Sequence, residues 1–354
     1  MKSSSGKYFI ALDHIRALAA FMVFSWHFIH NSVQDIPSFF ALSVLDQGHT
    51  GVALFMTLSG YLFAKLIDGK KIHFIHFIWN RFLRLAPLLF FVIFITGIQK
   101  YLESNDKVWY VWLFSYVLEI FKGVIYPTLP NGGWSITTEF HFYLVLPILL
   151  WLSLKSRFSL LFVVLLMICV RFFLYKGLGE IQQLAYWTII GRLDQFVLGI
   201  VAYRFRTIFS GRHLFAFCAI IAFMLFYWWF DLQGGFYSNP SYPSSSILWV
   251  FMPTIEGAFY ALTITWYDNS FSHPTNRLSR FFATIGTYSY SIYLFHLFFV
   301  KEMVTFIDEN ILYISNIYLA VIFSFLCFIL MMPLGYLSYR FIESPFLKFR
   351  TRYI

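Results

Sequence analysis

Charge is scarce in this sequence. Acidic and basic residues together make up 12% of 354 residues, about half the share of a soluble domain. That excludes a chain kept in solution by a charged surface. Cysteine is nearly absent too. The three present, Cys169, Cys218 and Cys327, fall in apolar runs and form no Cys-x-x-Cys pair. They imply neither a disulfide framework nor a metal site, and are expected to be packed free thiols. There is no Gly-x-x-x-x-Gly-Lys-Ser/Thr loop, no Gly-x-Ser-x-Gly elbow and no His-Glu-x-x-His. Phosphate-loop, serine-elbow and zinc-peptidase chemistry are thereby excluded.

What the chain has is apolar surface. Hydrophobic residues reach 59% and aromatic residues 23%, with 46 Phe, and the mean hydropathy is +0.69. One soluble core could not hide so much, whereas lipid needs no hiding. The expected fold is an all-α polytopic membrane protein. Its net charge of +9 is the excess that cytoplasmic loops carry, so no nucleic-acid partner is implied; the partner is the bilayer.

A span takes about 20 mostly apolar residues. Ten segments qualify: 12–30, 51–67, 82–98, 139–154, 158–175, 184–203, 213–230, 247–266, 282–300 and 313–339. An eleventh run, 108–121, is short and aromatic. If it lies on the outer face without crossing, 18 of the 26 basic residues fall inside and five outside, the other three lying within spans. If it crosses, Lys155, Arg204, Arg206 and the C-terminus move outside. The positive-inside rule favours about ten spans with both termini cytoplasmic. Residues 1–354 read as one membrane-embedded domain without an appended soluble domain. The basic, serine-rich residues 1–7 lead into a retained first helix, since no small-residue cleavage site follows.

An ionisable group inside lipid costs a few kcal/mol, about 2.5–3.5 for Arg at a helix centre, so each is a functional candidate. Arg16 and His27 are eleven residues apart, three turns plus about 20°, so both face one side, with Asp13 on the same stripe. The rise between them is about 16 Å. Arg16 can also snorkel inward and His27 bond a neighbouring helix. Arg81 and Arg84 enter the third span together; paired guanidiniums suit a phosphate ligand, although positive-inside anchoring uses the same residues. The turn Asn131-Gly132-Gly133 precedes Ser135, Thr137, Thr138 and Glu139, which read equally well as a helix cap. Glu139 shares a face with Tyr143. Tyr288, Ser289, Tyr290, Ser291, Tyr293 and His296 read as interhelical hydrogen bonding. Ser59, beside Gly60, reads as close helix packing. Glu256 is a further carboxylate within a span. Glu343 reads as bridging Arg340 or Arg350.

Taken in order, these motifs resemble the acyltransferase-3 family of bacterial membrane O-acyltransferases. The resemblance runs from about residue 9 to 347. It is carried by Leu12-Asp13-His14-Ile15-Arg16 through His27, Gly51 to Gly60, Arg81-x-x-Arg84-x-x-Pro87, Trp134-Ser135-x-x-x-Glu139-x-x-Phe142-Tyr143, Arg192-x-x-x-Phe196-x-x-Gly199, Tyr290-Ser291-x-Tyr293-Leu294-x-His296 and Glu343-x-Pro345. His14 stands where the family often has Gly, and Ala53 where Asp is common. The resemblance implies acyl transfer, with acetyl the commonest group, from cytoplasmic acyl-CoA to a hydroxyl of an extracytoplasmic or membrane-linked glycan such as lipopolysaccharide O-antigen. Acyl-CoA would be the donor substrate, with no tightly bound cofactor. His27, Arg16 and Glu139 would be catalytic, His27 as base or acyl carrier. Arg81, Arg84 and, more weakly, Arg192 would hold the coenzyme. The alternatives are an acyltransferase for a lipid or small molecule, and a polytopic transporter. Transporters also bury ions, but many show internal symmetry and paired broken helices, neither of which is evident here.

Overall fold

The structure, a computed structural model, describes residues 8–33, 38–104, 108–156 and 158–353. The retained-leader expectation for residues 1–7 lies outside them. Eleven helices of 16 residues or more stand out among the described residues: α1 Ile10–Ser32, α2 Gly51–Ile67, α3 Phe74–Glu103, α4 Trp109–Ile125, α5 Gly133–Lys155, α6 Ser159–Leu178, α7 Ile189–Arg204, α8 His213–Leu232, α9 Leu248–Ser270, α10 Arg277–Asn310 and α11 Ile317–Ser338. No strand occurs among those residues. Each of the ten expected segments is helical over most of its length. Eight of these helices are long and apolar enough to cross a membrane; α1 and α7, which carry Asp13 and Arg16 or Arg192 and Asp194, are not among them.

Helix ends depart from the hydropathy pattern for a physical reason. Hydropathy sees only the lipid-immersed part, while the backbone ladder continues beyond it. The run 82–98 belongs to a helix of 30 residues, Phe74–Glu103, and 282–300 to one of 34, Arg277–Asn310. The run 184–203 is broken instead: Thr188 ends a short helix, Gln182–Trp187, and caps α7 by accepting the Ile190 N–H.

The aromatic run at 108–121 is the helix α4, laid back along the distal part of α3. Its Trp112 ring is 5.3 Å from Tyr101, and the Tyr116 hydroxyl reaches the Ile93 carbonyl. A Cβ on Gly97 would meet the Tyr116 ring at 2.6 Å. Helix α5 then continues to the level where Tyr143 packs on Phe77, 5.7 Å between rings. The pair α4 and α5 therefore retraces the length of α3 once, α4 along its distal part and α5 along the rest.

Glycine lets the central helices touch. A Cβ on Gly60 would sit 1.9 Å from the Phe196 carbonyl oxygen, and one on Gly199 2.0 Å from that of Thr57, so α2 and α7 meet backbone to backbone. Gly286 of α10 does the same against Asp13 of α1, at 1.8 Å. These contacts place α1 inside the bundle, against α2, α10 and α11. The charges of α7 are neutralised internally. Arg171 of α6 and Asp194 are both 0% exposed and joined at 2.7 Å, with the Val250 carbonyl and Thr254 completing the guanidinium shell. Of the cysteines, Cys327 is buried but Cys169 and Cys218 face outward, where lipid contact serves as well as packing.

Candidate functional site

A cavity of about 200 Å³ opens between α1, α2, α3, α5 and α10, closed below by the C-terminal segment. It brings together four guanidiniums, Arg16, Arg81, Arg84 and Arg350. They arrive from three elements, Arg81 and Arg84 together on α3, Arg16 on α1 and Arg350 from the C-terminal segment, which is why spacing alone could not assemble all four. Arg16 is held by Asp13 one turn earlier. Arg84 pairs with buried Glu343 at 2.5 Å. Arg81 lies over the rings of Phe63 and Phe77, 5.2 and 5.8 Å from their centroids, and its Nε has no hydrogen-bond partner. Arg350 lies beyond the last span, and burial, then Arg84 and Arg81, push its guanidinium down to about 10. So dense a cationic cluster in a low-dielectric wall suits a polyanionic ligand.

Two expected roles change here. Glu343 bridges neither Arg340 nor Arg350. The helix widens into a π turn over Tyr339–Glu343, and the carboxylate is buried, taking Arg84 and the Ser291 hydroxyl. Ser59 is more than a packing residue. Gly60 makes the close contact, while Ser59 lines the cavity and donates to Glu139 Oε1 at 2.9 Å. Glu139 also accepts from the Tyr143 hydroxyl. It serves the cavity wall through Ser59 and Tyr143, not the imidazole of His27.

Arg16 and His27 share a side of α1, as the helical period requires. Both address α10: Arg16 lines the cavity with Gly286, Thr287 and Tyr290, and the His27 ring is 4.9 Å from His296. His27 does not line the cavity. Tyr293 joins the two regions. Its ring faces the cavity and lies 5.7 Å from His296, and its hydroxyl donates to the Gly132 carbonyl at 3.3 Å. Gly132 has φ +77°, and a Cβ there would meet the Tyr293 ring at 2.8 Å, so this turn needs glycine.

His296, read from sequence as a structural group, has a defined tautomer. Its Nδ1–H donates to the Tyr293 carbonyl, leaving Nε2 as a lone-pair acceptor, buried and without a partner. Two imidazoles thus stand behind the cavity wall, across Tyr293, one with an open lone pair. Such a pair can take a proton from a hydroxyl. Sequence alone placed His296 four turns from nothing in particular; its partner sits on α1, 269 positions away.

Arg192 is not drawn into the cavity. It is buried at 1% exposure, donates to the Tyr186 carbonyl and Gln195, lies 3.5 Å from Glu256 and stacks 4.4 Å above the Tyr186 ring. Among the described residues no His, Cys, Asp and Glu cluster could hold a metal ion.

No solved structure matches the chain. A relative from Staphylococcus aureus strain COL, named "Putative O-acetyltransferase", is 25% identical over 391 aligned positions, covering 97% of this chain and 58% of the relative. One from Bacillus subtilis strain 168, named "Putative peptidoglycan O-acetyltransferase YrhL", is 25% identical over 213 positions, covering 53% of this chain and 32% of the relative. The chain spans little more than half the length of the curated relatives it matches. The sequence pattern described as an acyltransferase domain matches residues 9–340, and with that match over nearly its whole length the chain belongs to the acyltransferase-3 family.

Proposed function

We propose that this chain moves an acetyl group from acetyl-CoA, bound at the arginine cavity, to a hydroxyl of a surface glycan approaching from the opposite end of α1. The observation that carries this reading is the order along the α1–α10 contact: a four-arginine cavity, then Tyr293, then the His27–His296 pair. Arg81, Arg84 and Arg350 would take the phosphates, and Arg16 the pantetheine arm. The basic end is read as cytoplasmic, because Lys and Arg collect there, with both termini on that side of the inner membrane.

In the transfer, the acceptor hydroxyl gives its proton to an imidazole. Its oxygen then forms the new C–O bond at the thioester carbonyl while the C–S bond breaks. The proton ends on the departing thiolate. If His27 itself carries the acetyl group, the same balance holds in two steps. The relatives' names support O-acetyl transfer, and one supports a peptidoglycan acceptor; lipopolysaccharide O-antigen is the other acceptor that the family resemblance suggested.

A lipid-borne acceptor is a second reading. It is favoured by an apolar groove of about 500 Å³ between α1, α8 and α9, lined by Leu18, Met22, Ile220 and Met224. The test is transfer of radiolabelled acetyl from acetyl-CoA to isolated cell-wall glycan by the protein in proteoliposomes. Label in the glycan is the expected result; label in lipid alone would move the assignment to the second reading.

A further inference from the structure

Beyond His27, away from the arginine cavity, an aromatic track leads outward. The His27 ring is 4.5 Å from Trp26, Trp26 stacks on Tyr237 at 5.9 Å and 12°, and Tyr237 is 5.6 Å from Tyr242. Exposure rises along it, from 5% at Trp26 to 45% at Tyr237 and 43% at Tyr242. The buried Trp26 indole N–H has no hydrogen-bond partner. Two tyrosines thus stand with nearly half their surface open, one on the short helix Gly235–Ser238 and one just after it, in line with the half-buried His27.

The loop is fixed from beneath. Gln47 donates to Asp46 at 3.2 Å and to Asp231 at 2.9 Å, and its carbonyl accepts the Phe236 N–H at 3.0 Å. Asp231 lies beside Asp46 and, after burial, raises the carboxyl of Asp46. His30 stands over this pair, 4.0 Å from Asp46, with its ring 5.8 Å from Tyr237. The segment 231–246 contains no Lys or Arg. The patch therefore offers the exposed rings of Tyr237 and Tyr242 backed by Trp26, the half-buried Asp231 carboxyl beside buried Asp46, and the His30 imidazole, and the segment 231–246 brings it no Lys or Arg to pair with a phosphate or carboxylate.

The geometry points to a carbohydrate subsite built by Trp26, His30, Tyr237, Tyr242 and the Asp46–Asp231 pair, which seats an uncharged pyranose and delivers its hydroxyl toward His27. Ring faces stack on the C–H faces of a sugar, and carboxyl and imidazole groups bind its hydroxyls. This rests on the glycan acceptor proposed above and adds where and by what charge class it is recognised.

The test uses the full chain in lipid nanodiscs, with chitotetraose and tetragalacturonic acid as neutral and anionic probes. Binding is read by saturation-transfer NMR and transfer by radiolabelled acetyl-CoA. The wild type is expected to bind chitotetraose and not the acid. Tyr237→Ala, at an exposed site, is expected to raise the KM for chitotetraose at least tenfold relative to that for acetyl-CoA, with Tyr237→Phe restoring it. Equal KM values in Tyr237→Ala and wild type, equal binding of both probes, or binding of neither overturns the subsite. Chitotetraose bound at the track but never acetylated would leave the subsite standing and remove the transfer reading instead.

Discussion

The imidazoles of His27 and His296 lie 4.9 Å apart between ring centres, one on α1 and one on α10, and the buried His296 Nε2 has no hydrogen-bond partner among the described residues. A buried nitrogen acceptor left unsatisfied costs about 1–3 kcal/mol. An imidazole nitrogen with an open lone pair can take a proton from a substrate hydroxyl.

Replacing His27 by Ala is expected to abolish acetyl transfer, and His296→Ala to lower kcat by about 10²–10⁴-fold, the usual span of general-base assistance. The measurement is acetyl incorporation into glycan, with size-exclusion profiles to confirm folding. A His296→Ala protein within twofold of wild type would return that residue to a packing role.

Among the described residues Arg81 anchors no ion pair; it faces the cavity over two phenylalanine rings. Arg81→Ala is expected to weaken acetyl-CoA binding by about ten- to a hundredfold, the worth of a charge-assisted hydrogen bond. Calorimetric titration of the purified protein measures it. Arg84→Ala is a poorer probe, because it also strands the buried carboxylate of Glu343.

The Arg171–Asp194 pair has no solvent contact. Arg171→Met should cost about 3–5 kcal/mol by leaving a buried carboxylate unpaired. The double variant with Asp194→Asn should recover much of the loss. Thermal unfolding in detergent would show both, and additive losses would refute the coupling.

At Gly60 a methyl group has nowhere to go, with the Phe196 carbonyl 1.9 Å from the ideal Cβ. Gly60→Ala is expected to cost about 1–3 kcal/mol through overpacking. Loss of thermal stability is the readout, with a smaller activity loss than for His27→Ala.

Asp46, in the loop before α2, has its carboxyl pushed up to about 8, by burial first and then by Asp231. The folded state therefore holds a proton that the unfolded state loses above about pH 4. Stability from this group is full at low pH and falls as pH rises toward 8. The groups facing it are Asp231 from α8, Gln47 from its own segment and His30 from α1. Asp46→Asn should flatten the pH dependence of the melting temperature between about pH 5 and 8; an unchanged slope would show that another group sets it.

The sequence by itself determined the solvent, the helices and the stripe of α1. Apolar composition demands lipid, apolar runs of about 20 residues demand spans, and the 3.6-residue period puts Arg16 and His27 on one side. It also named Arg81, Arg84 and Glu139, because ionisable residues in a membrane stand out against an apolar background. Only the tertiary structure decided which of these meet. Arg350 joins the cavity from a terminal segment, Glu343 turns inward on a π turn to take Arg84, and Arg192 is withheld by Tyr186 and Glu256. His296 finds His27 because Gly286 lets α10 touch the backbone of α1 at Asp13. Such meetings depend on which helix faces close against which, and no one-dimensional spacing records that.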